Sequence, residues 1–259
     1  MSKYLIIPDS DNIDELLKIA SDNDLGFEFN DFFNPGILDD KVRCDNLISK
    51  YSGYVLPGLL TSHGAFFDVT VFSDDGCIAD ISKKRIIRSM EIAGQIGAGA
   101  VVFHTNLNPF ITTEKYLNNW LDRNEEFFSE VCARYPDITV LLENMFDNSP
   151  KMLATLALRL KDISNFGVCL DYAHAFISGE SLKEWAETLS PYIKHVHIND
   201  NDGRNDLHAA LGSGRIDWEE FCFLRRRYFP DATVLIETTD IADIKASLEF
   251  IKTSGFDFH

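Results

Sequence analysis

The sequence predicts an α/β protein folded as a single (β/α)8 barrel, and three observations lead there. Short apolar runs alternate with amphipathic stretches from end to end of the 259-residue chain. Eight such pairs can be counted, the number that closes a parallel barrel, and about 250 residues is the usual length of that fold. The first strand runs into Pro8-Asp9-Ser10-Asp11, without glycine. An open doubly wound sheet would place a glycine-rich phosphate turn there.

In chain order, strands are expected over residues 4–7, 26–29, 55–62, 100–104, 139–143, 167–171, 193–198 and 233–237. They are short and mostly apolar, as strands buried on both faces must be. Helical periodicity covers residues 13–20, 83–96, 114–135, 151–163, 182–189, 218–228 and 241–253. Ser149-Pro150 reads as an N-cap followed by a first-turn proline, and Ser181 with Glu184 as a capping box. Asp217 with Glu220 resembles a second box. No low-complexity segment divides the chain, so residues 1–259 are expected to form one domain.

Composition narrows the function. Apolar residues make up 45%, enough for a large core. Acidic residues outnumber basic ones 41 to 24, a formal charge of −17. That surface repels nucleic acid and anionic membranes at long range. Five widely spaced cysteines with no CxxC pair argue against a disulfide framework or a zinc ribbon. The N-terminus lacks a signal-peptide core and no run is long enough to span a membrane, so a cytoplasmic protein is expected.

The later strands end in residues that ligate metals. Val101-Val102-Phe103 ends in His104, Val140-Leu141-Leu142 in Glu143, and Val168-Cys169-Leu170 in Asp171. Val196 precedes His197, Val234-Leu235-Ile236 ends in Glu237, and the third strand runs out at His63. All C-terminal strand ends of a barrel converge on one face. His174, three residues past Asp171, and Asp206 with His208 in the loop after strand seven join this set. Any one of these alone reads as a hydrogen-bonded structural residue. Nine on one face would be costly without a cation, and imidazole with carboxylate suits zinc, manganese or iron. His195, two residues before His197, points the same way but deeper, which suits a supporting hydrogen bond. The amides of Leu211-Gly212-Ser213-Gly214-Arg215 could meet a phosphate or simply form a turn.

Lys194-His195-Val196-His197-Ile198-Asn199-Asp200, then Asp206-x-His208, then Gly212-x-Gly214-x-Ile216-Asp217-Trp218, resembles the xylose isomerase-like TIM-barrel superfamily. That group includes endonuclease IV and many sugar isomerases and epimerases, and the similarity runs from the second strand to the last. The endonuclease IV resemblance implies three zinc ions. His63, His104 and Glu143 would hold one, Glu143, Asp171, His197 and Glu237 a second, and His174, Asp206 and His208 a third. The epimerase resemblance implies one ion on Glu143, Asp171, His197 and Glu237, with Glu143 and Glu237 moving protons on either face of the substrate.

Two reactions follow. The first, the preferred reading because loops and charge suit a small polar substrate, is isomerisation or epimerisation of a small sugar or sugar phosphate through a metal-stabilised enediolate. Glu28 would then contact substrate from the opposite wall, and Arg204 and Arg215 would meet a phosphate or hydroxyls. The second is phosphoester hydrolysis by a multinuclear zinc centre, favoured by the complete nine-ligand set. The loops at 9–12 and 30–40 carry no arginine, which disfavours nucleic acid. A silent metal- or sugar-binding barrel is a third reading. The expected cofactor is a divalent metal, zinc or manganese, as one to three ions. The expected partner is a small polar substrate, with a homo-oligomer allowed and no membrane.

Overall fold

The computed structural model describes residues 3–255 and is a closed (β/α)8 barrel. Its strands are β1 (Tyr4–Ile6), β2 (Gly26–Phe29), β3 (Leu60–His63), β4 (Ala100–His104), β5 (Thr139–Glu143), β6 (Phe166–Asp171), β7 (Ile193–Ile198) and β8 (Thr233–Ile236). All neighbouring pairs are parallel. β8 returns to β1 through Tyr4↔Val234, Leu5↔Leu235 and Ile6↔Ile236, so no sheet edge is left open. The outer layer begins with α1 (Ile13–Asn23), α2 (Pro35–Leu38), α3 (Lys41–Ser52), α4 (Gly76–Ile96) and α5 (Glu114–Arg134). It continues with α6 (Lys151–Arg159), α7 (Tyr172–Ser178), α8 (Leu182–Leu189), α9 (Trp218–Tyr228) and α10 (Ile241–Thr253). No described helix is long and apolar enough to cross a membrane.

Strand alternation sorts the side chains. Tyr4, Ile6, Phe27, Phe29, Val101, Phe103, Val140, Leu142, Val196, Val234 and Ile236 join the main core under the helices. Leu5, Ile7 and Leu235, and separately Val102, Leu141 and Cys169, pack as small clusters inside the barrel. The period of two then carries the next inward residues, His104, Glu143, Asp171, His197 and Glu237, to the top of the interior.

Several boundaries differ from the sequence expectation. β3 starts at Leu60, not 55: Pro57-Gly58 interrupts the apolar run and Val55 is left exposed. α4 begins seven residues earlier, at Gly76, where the Asp75 carboxylate caps the Cys77 amide. α6 stops at Arg159, and its start at Pro150 has no side-chain cap. Ser181 does accept from the Glu184 amide, but its own N–H goes to Glu180 and not Glu184. Asp217 caps the amides of Glu219 and Glu220. His259 lies outside the described residues.

Candidate metal centre

Asp171 is the last residue of β6 and the N-cap of α7, its Oδ1 accepting from the His174 amide at 2.6 Å. One helical turn brings His174 back over the strand end, which is why a DxxH spacing works there. Asn144, directly after Glu143, clamps the tops of β5 and β6. Its amide donates to the Asp171 carbonyl and its Oδ1 accepts from the Asp171 N–H, both at 2.9 Å. The loop after β7 is pinned by two backbone bonds between Asp200 and Ala209. This holds His208 in a left-handed conformation, φ 47°, a strained backbone for a non-glycine residue.

The nine residues converge as three arms. His63, His104 and Glu143 bring ligand atoms within 4.8 Å of one another, as do Glu143, Asp171 and His197. His63 Nε2 lies 3.1 Å from His104 Nε2, and Glu143 Oε2 lies 3.5 Å from each. His197 Nδ1 is 3.3 Å from Glu143 Oε2 and 3.6 Å from Glu237 Oε1. In the third arm, Asp206 Oδ2 is 3.2 Å from His174 Nε2 and 3.0 Å from His208 Nε2. Ligands about 2.0–2.1 Å from a tetrahedral zinc ion stand roughly 3.3 Å apart, so these spacings suit a shared ion.

The histidine tautomers point the same way. His63 Nδ1 faces the Gly64 carbonyl at 3.0 Å, His174 Nδ1 that of Asn144 at 2.9 Å, and His208 Nδ1 that of Glu237 at 3.1 Å. Each carbonyl accepts a hydrogen bond from Nδ1–H, which turns Nε2 toward the cluster. Glu143 Oε2, Asp171 Oδ2, His104 Nδ1 and His197 Nδ1 are buried with no hydrogen-bond partner. Buried polar atoms left so are costly, and a cation would satisfy the carboxylate oxygens and the imidazole nitrogens facing the cluster.

Electrostatics agree. Burial works against the Glu143 carboxylate, but His197, His104, His174 and His63 outweigh it and hold its pKa well below the usual range. Burial raises Asp171 to about 7. Burial lowers His104 to about 3. Burial opposes the charged form of His208, yet Asp206 and Glu237 raise it to about 10.

The expected substrate residues fare differently. Glu28 is fully buried, one layer below the centre. Its Oε1 is 3.0 Å from His197 Nε2, its Oε2 3.1 Å from His195 Nε2, and Thr61 donates to it. It is therefore placed under His197 and away from the expected substrate wall, because the inward position of β2 falls in the lower layer. His195 completes the column through Thr233. Arg204 lines the large cavity at the barrel mouth, whereas the exposed Arg215 does not. The loop at 211–215 is a structural turn and not a phosphate cradle. The Asp200 carboxylate takes the amides of Gly212 and Ile216 and the Trp218 indole N–H. A Cβ on Gly214 would stand 2.3 Å from Asp200 Oδ1. Asn144 and Asn199, which donates to Glu237 Oε2 at 3.3 Å, were missed. Their signal was an amide side chain at or just beyond a strand end.

Residues 19–254 match the xylose isomerase-like TIM barrel family. A relative in Aquifex aeolicus described as "Probable endonuclease 4" is 32% identical over 221 residues, 77% of this chain and 76% of its own. A Thermus thermophilus structure, the TTHB071 protein soaked with ZnCl2, superposes with a TM-score of 0.77 at 25% identity, over 98% of both chains. A D-tagatose 3-epimerase-like protein superposes with a TM-score of 0.76 at 23% identity, over 97% of this chain and 96% of its own.

Proposed function

From its membership of the xylose isomerase-like TIM-barrel family, we propose that this chain is a multinuclear divalent-metal enzyme that hydrolyses a phosphoester of a small substrate. The observation carrying this reading is the engagement of Glu143. Its Oε2 stands 3.3–3.5 Å from nitrogens of His63, His104 and His197, and its Oε1 is 3.5 Å from His174 Nδ1. A general base needs a free oxygen and proton affinity near the working pH. Glu143 Oε2 is free of hydrogen bonds, but the surrounding imidazoles hold its proton affinity far below that range, which suits a carboxylate that two ions would share.

His63, His104 and Glu143 would hold one ion, Glu143, Asp171, His197 and Glu237 a second, and His174, Asp206 and His208 a third. Ions there would supply Lewis acidity at a phosphoryl oxygen and make the attacking water acidic. Asp171 keeps one oxygen on the α7 cap, which fixes its orientation and leaves Oδ2 for the centre. Arg204 at the cavity edge would meet a remaining negative charge on the substrate. Among the described residues lining the cavity it is the sole basic one besides the histidines, and the chain carries −17. A polynucleotide needs contacts to several phosphates, so the substrate is small. The Aquifex relative's name supports phosphoester chemistry.

The isomerase or epimerase reading keeps one observation in its favour. Glu237 is buried, with Asn199 its only side-chain hydrogen-bond donor among the described residues, and could move a proton where Glu143 could not. The test is metal content by elemental mass spectrometry on protein purified without chelator. It is read beside hydrolysis of p-nitrophenyl esters and turnover of a sugar and sugar phosphate panel. About two or three zinc ions with ester hydrolysis are expected. One ion per chain with sugar epimerisation and no hydrolysis would replace this reading with the second.

A further inference from the structure

We propose that the substrate carries an aromatic or similarly flat apolar group, seated on a phenylalanine wall beside the metal centre; this rests on the phosphoester reading. The cavity at the barrel mouth has a volume of about 1100 Å³, and His104, His174 and Asp206 form its metal side. Phe67, Phe110 and Phe146 line the same cavity from the loops after β3, β4 and β5. They are 52%, 92% and 64% exposed. Large rings left in water at one site mark a surface built to be covered.

The Phe67 end of the wall is continuous with the chemistry. Phe66 packs against Phe67 at 4.1 Å between ring centroids and stacks on the His104 imidazole at 4.5 Å and 28°. A ligand on the metal arms therefore meets aromatic surface at once. The volume also exceeds the need of a simple sugar phosphate, since cavities of roughly 300–1,000 Å³ take ligands of drug size. A phosphate on a triose or pentose would leave these rings wet. An aryl or heteroaryl phosphoester puts its phosphate at the centre and covers the rings, which favours that class.

The test uses zinc-loaded protein and two non-hydrolysable probes, phenylphosphonate and methylphosphonate, with affinities from calorimetry. Phenylphosphonate is expected to bind about tenfold more tightly, from the extra apolar area covered. In the Phe110→Ala/Phe146→Ala double variant that preference collapses toward equality. Both side chains are exposed, and an unchanged thermal melt checks folding. Equal affinities in the wild type, an unchanged preference in the variant, or no binding of either probe would each overturn the inference. A variant that keeps the preference but loses self-association overturns it too and assigns the rings to an interface. Hydrolysis of p-nitrophenyl esters is read separately. Its absence alongside a retained phenyl preference sinks the phosphoester reading alone.

Discussion

At the residue scale, orientation of the imidazoles decides what the centre can bind. His63, His174 and His208 hand Nδ1 to backbone carbonyls, while His197 turns Nε2 to Glu28 and presents Nδ1. A carboxylate behind a ligand histidine raises its basicity and locks its ring. Glu28→Gln should therefore weaken zinc binding roughly 10–100-fold, as read by competition with a chromophoric chelator. An unchanged affinity would mean that packing alone orients His197. His208→Ala should remove one zinc ion per chain and leave the others in place, because its Nε2 faces Asp206 and its Nδ1 the Glu237 backbone carbonyl, away from Glu143 and His63. An unaltered zinc count would leave His208 as a substrate contact.

Protonation of that third arm gives a pH dependence. In metal-free protein Asp206 is held below the usual carboxylate range, its burial outweighed by His174 and His208, while His208 is raised to about 10. The His208 contribution to stability is full below its unfolded pKa of about 6.5 and is lost as pH rises through 10. The Asp206 contribution is present above about 3.9 and is lost as pH falls through its lowered folded value. The arm is thus firmest between about pH 4 and 6.5 without metal. A zinc ion held by this arm would have to displace the His208 proton, so binding at pH 7 should release protons and tighten with pH. Calorimetry in two buffers of different ionisation enthalpy reads this, and identical heats would refute a protonated His208.

At the element scale, the departures from the sequence reading have local causes. Asp171 ends a strand and caps a helix in the same residue, so α7 follows with no loop for a composition-based reading to find. In the loop before α9, glycine is required by close approach rather than by a ligand. A Cβ at Gly214 would lie 2.3 Å from Asp200 Oδ1 and 2.4 Å from the Asn201 carbonyl. Backbone cannot yield as a flexible side-chain tip does. Gly214→Ala should cost about 1–3 kcal/mol in urea unfolding, by the overpacking mechanism. A stability within experimental error of wild type would mean that the Asp200 cage relaxes freely.

At the scale of the whole molecule, barrel closure concentrates on one face groups that would repel or dehydrate one another if left alone. Glu143, Asp171 and His197 are all within about one per cent exposure. Ions that bind only the native state stabilise it by mass action. Zinc should accordingly raise the melting temperature and chelator should lower it. Equal melting temperatures would argue against occupancy of the centre in the folded protein.

Much of this was legible in the chain itself. Alternation of apolar runs with helical periodicity carried the barrel and its strand order. A period of two, bringing His, Glu or Asp to the end of the later runs, marked the face where these side chains would meet, since that pattern needs only local backbone geometry. Tertiary structure decided the rest. Glu28 belongs under His197 because closure sets the layer at which each inward residue sits. The 211–215 loop serves Asp200 because its amides meet a carboxylate from another turn. The wall of Phe67, Phe110 and Phe146 exists only where three loops, far apart in sequence, are brought to one rim. Distances between separate loops are fixed by packing of the whole barrel, and no local pattern encodes them.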